Sequence, residues 1–276
     1  MSKDEASIMA TDTHADHAHD DHGHHGPAYL AHHFDSPVQQ FDAAKLGVWA
    51  FLAQEILFFS GLFVAYALYR TAHPEAFSVG SHLLDPVMGG INTCVLLISS
   101  FTAAMAVRYA QLGEQKRVTQ MLVVTILCAF GFMIIKYFEY THKIHVGFLP
   151  GKYWLCPGFN LNAAGVCAVP PDAHGLEELS HAVLNASKVG VGSVVDGVAV
   201  NYPYHLRSFF GIYFVMTGVH GLHVLIGIGV MIWIILRNQR GEFSKDFFTP
   251  VDLVALYWHL VDLIWIYLFP LLYLID

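Results

Sequence analysis

The run GVWAFLAQEILFFSGLFVAYALY, Gly47 to Tyr69, is one long apolar helical stretch with a carboxylate set inside it. Glu55 lies well within the run, beside Gln54, and no basic residue is near it in sequence. What surrounds the helix decides what this acid costs, and composition answers first. The chain is 55% hydrophobic and 13% charged, with a mean hydropathy of +0.48. Soluble domains carry roughly 25% charged residues, so this chain has about half the usual solvating charge. Its formal charge of −8 sits mostly in tails and loops. The sequence is that of an integral membrane protein, for which no nucleic-acid partner is expected.

Apolar runs long enough to cross ~30 Å of hydrocarbon number five: Lys45–Tyr69, Val87–Ala110, Val118–Tyr140, Leu206–Leu236 and Val251–Ile275. None shows the alternating pattern of a membrane barrel. Isolated Gly and Ser within each suit close helix packing in lipid. The fold expected is all-α, a bundle of five transmembrane helices over residues 45–276. A His-rich, disordered tail is expected over 1–44, and a long outer loop over 142–205. The tail has no apolar segment of the signal-peptide kind before residue 45. No internal repeat is visible.

Orientation follows from Lys and Arg. With the N-terminus inside, the inner segments hold Lys3, Lys45, Arg108, Lys116, Arg117, Arg237, Arg240 and Lys245. The outer ones hold Arg70, Lys143, Lys152, Lys188 and Arg207, three of them in the one long loop. Long loops count little in this rule, so the short basic loops decide: N-terminus inside, C-terminus outside.

In the tail, HADHAHDDHGHHG (His14 to Gly26) holds six histidines among acids and small residues. Neutral imidazole is a common metal ligand, so loose capture of copper or zinc is one reading. A solvated tail of biased composition is the other. Cys94 and Cys128 lie inside spans, as small apolar packing residues do. Cys156 and Cys167 share the long loop and would close a short ring on the oxidising side. Crosslinking a ring of that size removes ~3 kcal/mol of unfolded-state entropy. In the same loop only DAHGLEELSHAVLNA, Asp172–Ala186, has helical character.

A rise of 1.5 Å per residue sets depths. Glu55 comes about 15 Å in from Lys45, near the midplane. His223 and His220 lie roughly 21 and 26 Å from Arg237, while His259 and Asp262 lie about 10 and 15 Å from Asp252. Ionisable groups of three helices are therefore expected in the middle of the bilayer. An ionised group there costs ~3 kcal/mol on insertion scales, and a neutral carboxyl is the natural escape for Glu55. At three-residue spacing, His259 and Asp262 share a face and can hydrogen-bond each other; His220 and His223 share one likewise. No complete haem or metal site is expected. Haem would need histidines on two helices at matched depth; His220 or His223 with His259 would be the only plausible pair, and one such pair gives no electron path across the bilayer.

The residues carry a resemblance as well. WAFLAQEILFFSGLFVAY closely resembles the helix of haem-copper oxidase subunit III that bears a buried, carbodiimide-reactive glutamate, matched here by Glu55. INTCVLLISSFTAAMA is similar to the family's next helix, and KYFEY to its following Glu-Tyr element, with Glu139. GVHGLHVLIG (Gly218–Gly227) and YWHLVDLIWIYLF (Tyr257–Phe269) resemble its two most recognisable signatures, which contain Gly218, Gly221, His220, His223, Gly227, His259, Asp262 and Trp265. All five spans are covered in the family's order. The chain resembles the five-helix form, beginning where the third helix of longer members would start. The outer loop with Cys156 and Cys167 is not part of the shared pattern.

The resemblance implies an accessory subunit of a terminal oxidase in a bacterial cell membrane. Haem and copper would reside in subunit I and, for cytochrome c oxidases, an electron-accepting site in subunit II, with no redox centre here. It implies support of proton uptake, protection of the catalytic subunit during turnover, and bound phospholipid. Glu55 would be carbodiimide-reactive, and as a proton-handling group or a structural anchor both readings stand. Glu139, His220, His223, His259, Asp262 and Trp265 would form polar-core, lipid or subunit contacts, with Gly218, Gly221 and Gly227 packing helices. The electron donor, cytochrome c or quinol, is decided on other subunits. The rival reading is a membrane transporter or metal-handling protein built on the midplane His/Asp/Glu cluster.

Overall fold

The structure, a computed structural model, describes residues 30–31, 34–146, 148–149, 192–195, 198–201, 205–245 and 247–275. By internal contacts the chain divides into two units, 1–40 and 41–276. Cys156, Cys167, the 172–186 segment and the six tail histidines lie outside the described residues.

Among the described residues, five helices are long and apolar enough to cross a membrane. Helix α1 spans Pro37–Ala72, beginning inside the segment expected to be tail. The local chemistry of a helix start explains this. Pro37 has the φ of a first helical residue, and the Gln39 N–H donates to Ser36 Oγ at 3.2 Å. Gln39 Oε1 in turn accepts from the Asp35 N–H at 2.8 Å, a reciprocal capping arrangement. His73-Pro74 ends the helix, because the residue before proline is pushed out of the α region.

Pro74 also opens a short helix, α2 (Pro74–His82), between the first two expected spans. Its buried side comprises Ala76, Phe77, Val79, Gly80 and Ser81. Phe77 sets its edge against Tyr66 and Phe209, each with centroids 5.3 Å apart. Gly80 lies directly under the Phe209 ring, where any side chain would collide.

Helix α3 (Pro86–Leu112) starts at Asp85, whose carboxylate accepts from the Val87 N–H at 2.8 Å and the Met88 N–H at 3.3 Å. It stops at Gly113, held at φ 77°, a left-handed turn that suits glycine. Helix α4 (Gln115–Val146) follows at once and runs six residues past the expected end at Tyr140. Small residues are buried on both helices, Ser99, Ala103, Ala106 and Ala110 on α3 and Thr125 and Ala129 on α4, and Thr102 Oγ1 lies 2.8 Å from Thr125 Oγ1 across the contact. Close approach of this kind stands in for the hydrophobic effect where the solvent is lipid.

Strands β1 (Gly192–Val195) and β2 (Val198–Asn201) pair antiparallel, with Val195 opposite Val198. Asp-Gly, a sequence favouring tight hairpins, separates them. This hairpin is a small addition to the helical fold that the sequence reading did not name. Helix α5 (Leu206–Gln239) and helix α6 (Thr249–Tyr273) complete the bundle. Its core includes the fully buried Trp258, Trp265, Tyr213, Phe132 and Phe209.

Helix α1 differs from the rest. Only Leu52, Phe59 and Tyr66 are buried, spaced by sevens along a single stripe. Leu46, Trp49, Leu57, Val64 and Leu68 are exposed, as on a lipid-facing surface.

Candidate functional site

Glu55 lies on the buried stripe of α1, between Leu52 and Phe59. Its Oε2 is 2.9 Å from His223 Nε2 of α5, with both side chains largely buried. The other imidazole nitrogen, Nδ1, is 2.8 Å from the Val219 carbonyl oxygen one turn back. A carbonyl only accepts, so Nδ1 carries a hydrogen. One further proton then lies between Nε2 and Oε2. It makes either a carboxyl donating to neutral imidazole or a carboxylate facing imidazolium. Both forms are neutral as a pair, which is what a low-dielectric site demands. The Phe59 ring packs edge-on to His223 at 5.2 Å, and the Tyr257 hydroxyl donates to the His223 carbonyl at 3.0 Å.

Two further polar contacts hold α1 along its length. Lys45 Nζ is 3.5 Å from Asp252 at one end. At the other, the Tyr66 hydroxyl donates to the Leu271 carbonyl.

The remaining midplane groups do not gather into one cluster. His220 and His223 were expected to share a face, but α5 is wedged between neighbours and their 60° separation divides them. His223 turns to α1, whereas His220 is fully buried between Phe132 (5.5 Å) and Trp265 (5.2 Å). His259 and Asp262 do not bond each other either. His259 Nδ1 pairs with Ser100 Oγ of α3 at 2.7 Å, because α3 offers a hydroxyl at that level. Among the described residues, no three His, Cys, Asp or Glu side chains converge to hold a metal ion.

A second polar centre involves a residue the sequence reading passed over. In KYFEY the partner of Glu139 is Lys136, one turn earlier. Lys136 Nζ donates to Glu139 Oε2 at 2.8 Å and to the Tyr273 hydroxyl at 2.7 Å, with Tyr213 at 3.4 Å. Tyr273 donates to the other Glu139 oxygen at 2.5 Å. The side chains of Lys136 and Glu139 are 7% and 3% exposed. The ammonium also lies 4.7 Å from the Trp265 ring centroid, a cation–π contact. Trp265 itself donates to Thr93 Oγ1 at 3.1 Å. The available signal was K-x-x-E inside an apolar run, the spacing that brings two side chains together on a helix.

The three glycines differ. A side chain at Gly227 would meet the Trp258 ring at 2.7 Å, whereas one at Gly218 would find only Tyr140 at 3.8 Å and one at Gly221 nothing within 4 Å. Gly218 and Gly221, expected to sit against another helix, instead line a groove of ≈ 370 Å³ between α4 and α5. Cys94 and Cys128 are free thiols.

Five lipid-length helices, with Glu55 paired to His223 between two of them and Lys136 to Glu139 within one, define a multi-pass helical membrane protein. The sequence model of cytochrome c oxidase subunit III matches residues 26–159 and 201–276, and the chain belongs to that family. It is similar to cytochrome c oxidase subunit 3 of Thermostichus vulcanus, with 29% identity over 85% of this chain and 89% of the relative. It is also similar to probable quinol oxidase subunit 3 of Staphylococcus saprophyticus (23%, over 89% and 96%) and of Staphylococcus haemolyticus (24%, over 88% and 94%). As a subunit III of the haem-copper oxidases, the chain is a respiratory-chain component that associates with the catalytic subunits. The transporter reading is not favoured by these matches.

Proposed function

We propose that the chain is the accessory subunit of a proton-translocating terminal oxidase, supporting proton uptake and the working lifetime of the catalytic subunit. Subunits I and II would be its partners and hold haem and copper, with phospholipid bound at its helices. The basic short loops favour a cytoplasmic N-terminus and an outer C-terminus in a bacterial cell membrane. The observation that carries the reading is the Glu55–His223 pair, which keeps one exchangeable proton well inside the membrane-spanning bundle. Oxidase depleted of this chain is expected to start at a normal rate and lose activity in fewer turnovers. Equal lifetimes with and without the chain would leave it an assembly role alone.

Glu55 has its own test. A hydrophobic carbodiimide needs a protonated carboxyl, one of the two forms of the pair. Selective labelling of Glu55 in intact membranes is expected, with Glu55→Gln abolishing it and assembly surviving, since Gln still hydrogen-bonds His223. Undiminished labelling in that variant, carried by Glu139 or Asp262, would assign the reactive carboxyl elsewhere.

The open α4–α5 groove bears on association. Gly221→Leu has room within this chain, so its fold should hold. Co-purification with the catalytic subunits should fall, because a filled groove keeps a neighbouring helix away. Unchanged yield of the complex would turn this face to lipid.

A further inference from the structure

The contacts between α3 and α6 set a register. Gly89 meets Phe269, Thr93 meets Trp265, Ser99 meets Trp258 and Ser100 meets His259. Asn92 thus sits at the Trp265 level, where His220 also packs. Asp262 is one turn away on α6, about 5 Å along the axis.

These three side chains stand out among the described residues: the one other buried side-chain N or O without a partner is Asn238 Oδ1, whose amide nitrogen is bonded. Asn92 and His220 are fully buried and Asp262 is 2% exposed. Both polar atoms of each lack a hydrogen-bond partner among the described residues. Ser99 and Ser100 stand within reach of Asp262, and each hydroxyl is shared with another partner. Ser99 donates to the Leu96 carbonyl at 2.8 Å and accepts from Trp258 at 3.0 Å, while Ser100 pairs with His259. Thr93 is likewise occupied, donating to the Gly89 carbonyl at 2.9 Å and accepting from Trp265. The ring faces of Phe132 and Trp265 are second-order acceptors and offer nothing to a carboxyl or carbonyl oxygen. Buried polar groups left unmade carry their full desolvation cost, and no lipid-facing route exists for side chains this enclosed. The ligand whose chemistry answers a carboxamide, an imidazole and a carboxyl together is water, which takes two to four bonds in such sites.

We propose that Asn92, His220 and Asp262 coordinate internal water at the Trp265 level, as a hydrated node between α3, α5 and α6. On one side of it stands the Lys136–Glu139–Tyr273 network, which touches Trp265; on the other stand Ser99, Ser100 and His259. The node makes the polar interior of the bundle a connected column rather than separate anchors.

Radiolytic hydroxyl labelling of the purified oxidase complex tests this, because radicals born from trapped water oxidise the side chains touching it. Trp265 and Phe132 are expected to be labelled at least severalfold faster than Phe209 and Phe210, which are equally buried in the α2–α5 aromatic cluster. Labelling of Trp265 and Phe132 no faster than of Phe209 and Phe210 overturns the node. Fast labelling of all four overturns it too, since it means general solvent entry. The wild-type comparison stands whether or not variants assemble. In an assembling Asn92→Leu or Asp262→Leu complex the Trp265 rate should fall; an unchanged rate removes that residue's assigned role.

Discussion

Lys136→Met is expected to prevent the subunit from accumulating. The substitution keeps the length of the side chain but leaves Glu139 buried without its ammonium, held only by the Tyr273 hydroxyl. Breaking a buried pair from one side costs about 3–5 kcal/mol, a large share of the 5–15 kcal/mol that holds a typical domain together. Replacing both partners, Lys136→Met with Glu139→Gln, removes the stranded charge and should restore much of the loss. Membrane abundance and the unfolding midpoint in mild detergent read both effects. If the single variant accumulates normally and melts with the wild type, Glu139 is already neutral and no ion pair exists. Recovery in the double variant is the signature that separates charge from packing.

Gly227→Leu should be the next most damaging change, for steric rather than electrostatic reasons. A β-carbon there would lie 2.7 and 2.8 Å from two atoms of the Trp258 ring and 3.4 Å from Tyr257. Trp258 cannot retreat easily, since its indole N–H is bound to Ser99 and it is fully buried. Overpacking costs about 1–3 kcal/mol in ordinary cores, and a whole leucine at this separation belongs at the upper end. Gly229 is the internal control. It lies on the same helix two residues on, with nothing within 4 Å, so Gly229→Leu should leave the unfolding midpoint within a degree or two of wild type. Equal effects at the two positions would mean that helix flexibility matters here, not the contact with Trp258.

The five spans were legible because a hydrocarbon solvent demands long uninterrupted apolar runs, and Lys45, Arg70, Arg108 and Arg237 punctuate them. Their ends were less so. Helix α1 starts at Pro37 through capping chemistry that hydropathy does not register, and α2 is too short to show as a span. The site was legible in part. Glu55 stands out as an acid in an apolar run, but its partner depends on how α5 rotates, which spacing alone cannot fix. Depth placed His223, His220, His259 and Asp262 near one another. Helix packing then sent His223 to α1, His259 to Ser100, and the other two inward. Lys136 was readable from its spacing to Glu139, yet a lysine in a helix is easily taken for a snorkelling surface residue. Its burial becomes apparent only when Tyr213 and Tyr273, from two other helices, are seen to close over it.

The separation of Glu55 and His223 by 168 residues has a consequence for biosynthesis. Helix α1 is synthesised before α5, with α3 and α4 between them. At ~5–20 residues per second, the ribosome needs on the order of ten seconds or more to make the chain between them. For that interval Glu55 waits without the imidazole that pairs with it, and a carboxylate left ionised in lipid would cost about 3 kcal/mol on insertion scales. Arrival of α5 ends the wait and converts an isolated acid into one half of a neutral pair. A truncated chain that stops short of α5 leaves the α1 carboxyl without its partner, so the finished subunit differs from an unfinished one in a single buried contact made across most of its length.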